Sequence, residues 1–309
     1  EQAGKGGKSH LGGIKASDLL ERITEIVIEH QRTSLGILES IQEKLIKEDI
    51  YIINETQIQE VHHNFIKNYF FQEVSPALVT IILNENIELP LLKDSAAYLI
   101  VKMNLKDESK QYALIEISKA MNRFVVLPKL DGKNYIILID DLLRHSLKDI
   151  FNIFDYTSIS ANMIKITRDG ELDFDSDLSK SFIDKISDSV RDRKIGEPVR
   201  FVYDKTLDDE TLIYLMQKMG IDSKDSVIPG GRYHNRRDYM GFPSLGRKDL
   251  LYTKINPLPV KDLSLEQSIF NTISDKDYMV HTPYHTFSYI VNFLREAALD
   301  PTVKSIKIT

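Results

Sequence analysis

The chain has no cysteine and no tryptophan, and no apolar run approaches the roughly 18 residues that a membrane span needs. Missing thiols exclude disulfides, thiolate catalysis and Cys-ligated zinc, and they fit a reducing compartment. The start of the chain lacks the basic-then-apolar order of a signal peptide. A soluble, cytoplasmic protein is expected, with no transmembrane segment and at most a peripheral association with membrane. Positive charge is in deficit: 40 Lys and Arg face 46 Asp and Glu, for a net charge of -6. That balance argues against a general affinity for polyanions, nucleic acid included, so any anion site must be a local reversal of sign. At 42% hydrophobic and 28% charged the composition is that of an ordinary globular protein. The 309 residues suggest two domains at about 150 residues each.

Positions 15 to 48 contain no proline and one glycine, Gly36, and carry Leu19, Ile23, Ile26, Val27, Leu35, Leu38, Ile41 and Leu45 at helical spacing. This pattern predicts a long amphipathic helix. Its apolar stripe needs helical partners that the neighbouring sequence does not supply, so it packs across a dimer or against a bundle upstream. A second helical pattern, Ile58, Val61, Phe65 and Tyr69, leads into strand-like runs at 96–105, 111–117, 123–127 and 135–139. The last two flank Asp131-Gly132, a hairpin signal. Helical patterns at 141–151, 177–191 and 208–219 alternate with β-rich runs at 163–167 and 199–203, and Asp208 and Gly220 sit where a helix cap and stop belong. The whole predicts an α+β sandwich over about 55–260. A strand at 278–281, a helix at 286–298 and a strand at 303–309 predict a βαβ unit that opens a larger α/β domain.

Several motifs imitate sites without meeting their requirements. Gly4-Lys5-Gly6-Gly7-Lys8-Ser9 lacks the first glycine and the preceding strand of a phosphate-binding P-loop. Asp173, Asp175 and Asp177 start like a calcium loop, but Leu178 replaces the turn glycine and Asp184 the final glutamate. His62-His63 have no further ligand at zinc spacing and read as solvated or half-buried histidines.

The strongest local signal is Val227-Ile-Pro-Gly-Gly-Arg-Tyr-His-Asn235 with Arg236-Arg237. From Lys224 to Lys248, six basic residues face Asp225 and Asp238, a local balance of +4. Pro-Gly-Gly allows consecutive N–H groups to converge, and forked guanidiniums suit phosphate oxygens. Internal ion pairing within a Gly-Pro loop explains the same residues equally well. A second signal, Val280-His-Thr-Pro-Tyr-His-Thr-Phe287, ends a predicted strand at a loop, where His281 and His285 could face a ligand and Thr286 could cap the next helix.

Taken together, Pro229-Gly-Gly-Arg-Tyr-His-Asn235, Pro283-Tyr-His-Thr-Phe287 and Glu296-Ala-Ala-Leu-Asp-Pro-Thr-Val-Lys-Ser-Ile-Lys307 resemble the bacterial polyphosphate kinase family. Lys165-Ile-Thr-Arg-Asp169, Glu197-Pro-Val-Arg-Phe-Val-Tyr203 and Ser9-His-Leu11 fall in the same order. The resemblance implies the end of an N-terminal helical domain at 1–54, a middle head domain at 55–260, and the truncated start of a phospholipase-D-like catalytic domain at 261–309. It further implies reversible transfer of the terminal phosphate of ATP to polyphosphate through a phosphohistidine, with Mg²⁺, in a homo-oligomer. Neither the phosphorylated histidine nor the Mg²⁺-linked residues of the family have a matching position here, so no catalytic residue and no metal ligand is assigned. A fragment inactive by itself is expected, with a non-catalytic polyphosphate-binding or assembly module as the alternative. Arg232, His234, Asn235, Arg236 and Arg237 are expected to line the route of polyphosphate or nucleotide phosphate, and Tyr284 and His285 to lie near the catalytic cleft.

Overall fold

The computed structural model describes residues 15–84, 92–93, 96–118, 120–168, 198–221 and 227–307. The chain forms two compact units, Glu1–Leu245 and Gly246–Thr309. The Gly-Lys lead, the three aspartates at 173–177, the helical pattern at 177–191 and Lys224 lie outside the described residues.

In the first unit the predicted long helix is α1, Ala16–Lys47. It carries Lys44 and Lys47 in its last turn, where cations meet the negative end of the helix dipole. Helix α2, Glu60–Tyr69, continues into a π-helical turn at Phe70–Val74 before Ser75-Pro76 stops it. Two sheets follow. The larger has six strands among the described residues, in the order β2 (Val79–Leu83), β4 (Lys110–Glu116), β3 (Ala97–Leu105), β7 (Tyr156–Arg168), β8 (Pro198–Asp204) and β9 (Val227–Gly230). All neighbours are antiparallel except β8 and β9. The smaller sheet sets β1 (Ile50–Ile53) parallel to β6 (Lys133–Leu138), which forms the Asp131-Gly132 hairpin with β5 (Phe124–Leu130). Asp131 and Gly132 both take positive φ, 50° and 78°, as such a turn demands.

The period-2 alternation of β3 shows how the layers are built. Leu99, Val101 and Met103 enter a core shared with Ile53, Val125 and Ile137 of the smaller sheet and with Ile66 and Phe70. Tyr98 and Ile100 face the other way, into a second core with Phe201 and with Leu215 of α5, Asp209–Met219. Each fully buried Leu, Ile or Phe side chain contributes about 1.5–3 kcal/mol, so a sheet buried on both faces anchors the unit. Asp208 caps α5 by accepting from the Thr211 N–H at 3.1 Å, and Gly220 ends it at φ 64°, in the left-handed region. Short helices α3 (Ile139–His145) and α4 (Leu147–Ile150) follow the hairpin.

The second unit holds α6 (Ile269–Asp275) and α7 (Ser288–Leu299), packed through Leu263, Ile269, Tyr289 and Phe293. The Glu296 carboxylate of α7 accepts from the N–H groups of Ile269 and Phe270 at 2.8 and 3.0 Å, covering the open donors at the start of α6. The predicted βαβ unit is realised only in its helix. Neither 278–281 nor 303–307 joins a ladder, and the pairing near 278–281 is one isolated parallel bridge between Leu258 and His285. An extended segment becomes a strand only when a neighbour takes its N–H and C=O groups, and the described residues offer 278–281 no such neighbour.

Candidate functional site

The basic segment after β9 begins from Asp140 and Asp141. These acids interrupt the apolar run from Ile136 to Leu143 and are completely buried. Buried carboxylates must be paired. Arg123 forks onto Asp140 at 2.7 and 3.2 Å and also meets Asp238 at 2.6 Å. Burial pushes the Asp140 carboxyl above its usual range, while Arg123 and Arg144 pull it back. Asp141 accepts from Arg144 at 2.6 Å, from Arg232 at 2.7 and 3.1 Å and from the Tyr233 hydroxyl at 2.5 Å. Glu55 also accepts from Arg232. Burial works against the charge of Arg232, but Asp141 and Glu55 outweigh it and hold the guanidinium firmly protonated. Burial and the adjacent Asp141 push the Tyr233 phenol well above its ordinary range.

Of the two readings of this segment, internal pairing therefore describes Arg232. Asn235 is also engaged within the protein, accepting from Lys165 at 3.2 Å and donating to Asp238 at 3.2 Å. The aromatic residues of the segment have a packing role: Tyr233, Tyr239 and Phe242 cover the outer face of the smaller sheet over Ile50, Phe124, Ile136 and Leu138. Nor do the glycines form an N–H cradle, because neither Gly230 nor Gly231 takes a positive φ. Gly230 lies in β9, which ends the larger sheet, an edge position where Pro229 is tolerated. What the glycines permit is close approach. A Cβ on Gly231 would stand 2.9 Å from Leu35 of α1, and one on Gly230 would stand 2.9 Å from Val202 and 3.3 Å from the Tyr203 carbonyl oxygen.

Where α1 meets β8 and β9 there is a cleft of about 300 Å³. Helix α1 contributes Val27, His30, Gln31, Ser34 and Leu35; β8 contributes Arg200 and Val202; β9 and the following residues contribute Gly230, Gly231, Tyr233, His234 and Arg236. Arg236 donates to the Ser34 hydroxyl at 2.8 Å. Nε of Arg200 is buried without a hydrogen-bond partner. Burial pulls the His234 pKa down to about 4 against the opposing field of Asp204 and a backbone hydrogen bond to Gly231, so its ring is neutral at pH 7. Arg237 is exposed and does not line the cleft.

Tyr284 and His285 belong to the second unit. Tyr284 is exposed, and its carbonyl accepts from the Leu258 N–H at 2.7 Å. The His285 ring accepts from the His281 N–H at 3.0 Å, so it stabilises its own loop. Thr286 accepts from the Ser288 N–H at 3.2 Å at the entrance of α7. In the first unit His62 is fully buried, not solvated, with Nε2 3.1 Å from the Pro128 carbonyl oxygen, and burial lowers its pKa. Among the described residues no group of three or more His, Asp or Glu side chains is placed to hold a metal ion. The acids near the basic segment are already bound to arginines, so they do not fit a Mg²⁺ site and no step is derived through one. No helix among the described residues is long and apolar enough to cross a membrane.

Of the residues singled out in the sequence, His234 and Arg236 line this cleft; Arg200, His30 and Ser34, which also line it, were not among them. Nothing in the linear order links α1 to the Val-Arg-Phe-Val strand; only the fold brings them together. The partners of Arg232 did leave a signal, since two adjacent acids inside an apolar run require buried counter-charges.

Comparison with known proteins gives a consistent picture. A family model described as the polyphosphate kinase middle domain matches residues 61–242, and one described as polyphosphate kinase C-terminal domain 1 matches 268–309. A polyphosphate kinase of Vibrio vulnificus strain YJ016 is 36% identical over 316 aligned residues, covering 100% of this chain and 43% of that protein. One of Escherichia coli K12 is 34% identical, covering 94% of this chain and 43% of the relative. The crystal structure of polyphosphate kinase from Porphyromonas gingivalis matches 92% of this chain and 41% of its own, with a TM-score of 0.65 at 26% identity. The chain thus spans less than half the length of these relatives. With the middle-domain model matching more than half of its residues, the chain belongs to the polyphosphate kinase family.

Proposed function

We propose that the chain is part of a polyphosphate kinase that reversibly transfers the terminal phosphate of ATP to inorganic polyphosphate through a phosphohistidine. The observation that carries this reading is the consecutive match of two polyphosphate kinase domains, in order, along one chain. In this reading the phosphorylated histidine and the Mg²⁺ ligands are supplied by sequence outside the 309 residues, the working enzyme is a cytoplasmic homo-oligomer, and this segment alone is inactive. Arg236, Arg237 and His234 lie on the route of polyphosphate, with Tyr284 and His285 near the catalytic cleft. Arg232 and Asn235 act by holding the segment in place through their bonds to Asp141, Lys165 and Asp238.

The test is ATP-dependent polyphosphate synthesis by the 309-residue chain and by the chain extended with its downstream sequence. Synthesis by the extended chain alone is expected. Synthesis by the 309 residues would remove the claim of inactivity, and none by the extended chain would remove the assigned reaction.

A second reading, a non-catalytic binding or assembly module, draws support from α1. Ile26 and Ile37 on this helix are 54% and 57% exposed, and an apolar stripe of this kind needs a partner. Sedimentation at several concentrations checks it: self-association lost in Ile26→Glu/Ile37→Glu supports assembly, and a monomer at every concentration excludes it.

A further inference from the structure

We propose that the cleft between α1 and the β8–β9 edge is a binding site for a phosphate-type oxyanion, whose occupant ties the helix to the sheet. The proposal rests on the phosphate-transfer reading only for the ligand's chemical class; the geometry stands independently. Arg200 and Arg236 bring two permanent positive charges to one cleft, and no carboxylate lines it among the described residues. This is the local reversal of sign that a chain of net charge -6 requires of any anion site.

Arg200 Nε, on the cleft lining, is buried and lacks a partner. Native proteins satisfy the great majority of buried polar groups, and an exception calls for a ligand, a water or a functional reason. An oxyanion accepts from both guanidiniums, and these charge-assisted bonds are the stronger kind. Arg232 cannot serve in this way, since Asp141 and Glu55 already take its charge.

The size of the cleft limits the ligand. About 300 Å³ lies at the lower end of the roughly 300–1,000 Å³ of small-molecule sites. That suits a single phosphate or a short run of phosphates better than a whole nucleotide. Gly231 helps to fix the shape, because a Cβ there would stand 2.9 Å from a Leu35 methyl and force that side chain of α1 to shift. Ser34 holds Arg236 from the helix side, so both walls contribute to the anion's surroundings.

Calorimetric titration of orthophosphate, tripolyphosphate and long-chain polyphosphate into the 309-residue chain tests the site. Saturable binding is expected, weakened by added salt and weakened about ten-fold or more in Arg236→Ala and Arg200→Gln, the loss typical of a charge-assisted bond. Lys129→Ala, an exposed cation outside the cleft, should leave tripolyphosphate affinity unchanged. Equal affinity for orthophosphate and tripolyphosphate identifies a free phosphate as occupant; tighter tripolyphosphate identifies a chain of phosphates. Hydrogen exchange should slow across residues 27–35 of α1 when ligand is present. Absence of saturable binding, or binding unchanged in Arg236→Ala, overturns the proposal. Should Arg200→Gln lose its far-ultraviolet circular dichroism, Arg236→Ala alone decides, since its only side-chain bond within the described structure is to Ser34. If binding follows this pattern while the extended chain makes no polyphosphate, the cleft survives and only the assigned reaction fails.

Discussion

Replacing Asp141 with asparagine probes the chemistry that holds the basic segment. The side chain is completely buried and accepts from two arginines and a tyrosine. Asparagine preserves the shape but removes the charge, and of the groups that face it only the Tyr233 hydroxyl can accept from its amide NH₂. Arg144, itself 4% exposed at its side chain, is then left with a buried positive charge and no carboxylate in its ion pair. Removing one member of a buried ion pair costs about 3–5 kcal/mol, a large share of the about 5–15 kcal/mol by which domains are stable. With a urea slope of about 2–3 kcal/mol per molar, the midpoint should fall by about 1–2.5 M. The assay is urea unfolding followed by far-ultraviolet circular dichroism. Arg232→Met should cost less, because Asp141 keeps Arg144 and Tyr233. The two changes together should fall short of additivity by about 1 kcal/mol or more, as for residues in one network. A midpoint shift equivalent to less than about 1 kcal/mol for Asp141→Asn, or strict additivity, would refute the network as the anchor of this segment.

Two further predictions concern pH. Burial lowers the His234 pKa to about 4, so between about pH 6.5 and 4 the unfolded chain binds more protons and stability falls as pH falls. The full contribution is at most about 3 kcal/mol; His234→Gln should flatten the slope of stability against pH in that window, and an unchanged slope would contradict the burial argument. The N–H groups of Phe270 and Ile269 hold the Glu296 carboxyl below its ordinary value of 4.5. Its contribution is therefore present above about that pH and lost as pH falls below it. Glu296→Gln should lower the melting temperature of the second unit at neutral pH and remove its acid dependence, which thermal unfolding at pH 3 to 7 on the whole chain would show.

Much of the fold is legible in the sequence because period and caps declare it. The stripe of α1, the alternation of β3 and β4, the Asp131-Gly132 turn and the Asp208–Gly220 bounds of α5 each follow from local chemistry. Strands β1, β2 and β9 were not legible, being four or five residues long and dependent on distant partners for their hydrogen bonds. The strands of the expected terminal βαβ unit are not formed among the described residues for the same physical reason, since 278–281 has no ladder partner there. The basic segment was legible as charge but not as pairing. Its arginines read alike in sequence, and only the approach of α3 and Glu55 separates the neutralised Arg232 from the cleft-lining Arg236. Arg200 carried no signal, because a lone arginine within a strand becomes informative only when α1 closes over it.

The most direct test of the account is covalent. ATP labelled in its terminal phosphate is incubated with the 309-residue chain and with the chain extended downstream, and acid-labile phosphate is located by peptide mapping. The account predicts no label on the 309 residues and label on a histidine beyond Thr309 in the extended protein. Acid-labile phosphate on His234, His281 or His285 would contradict it.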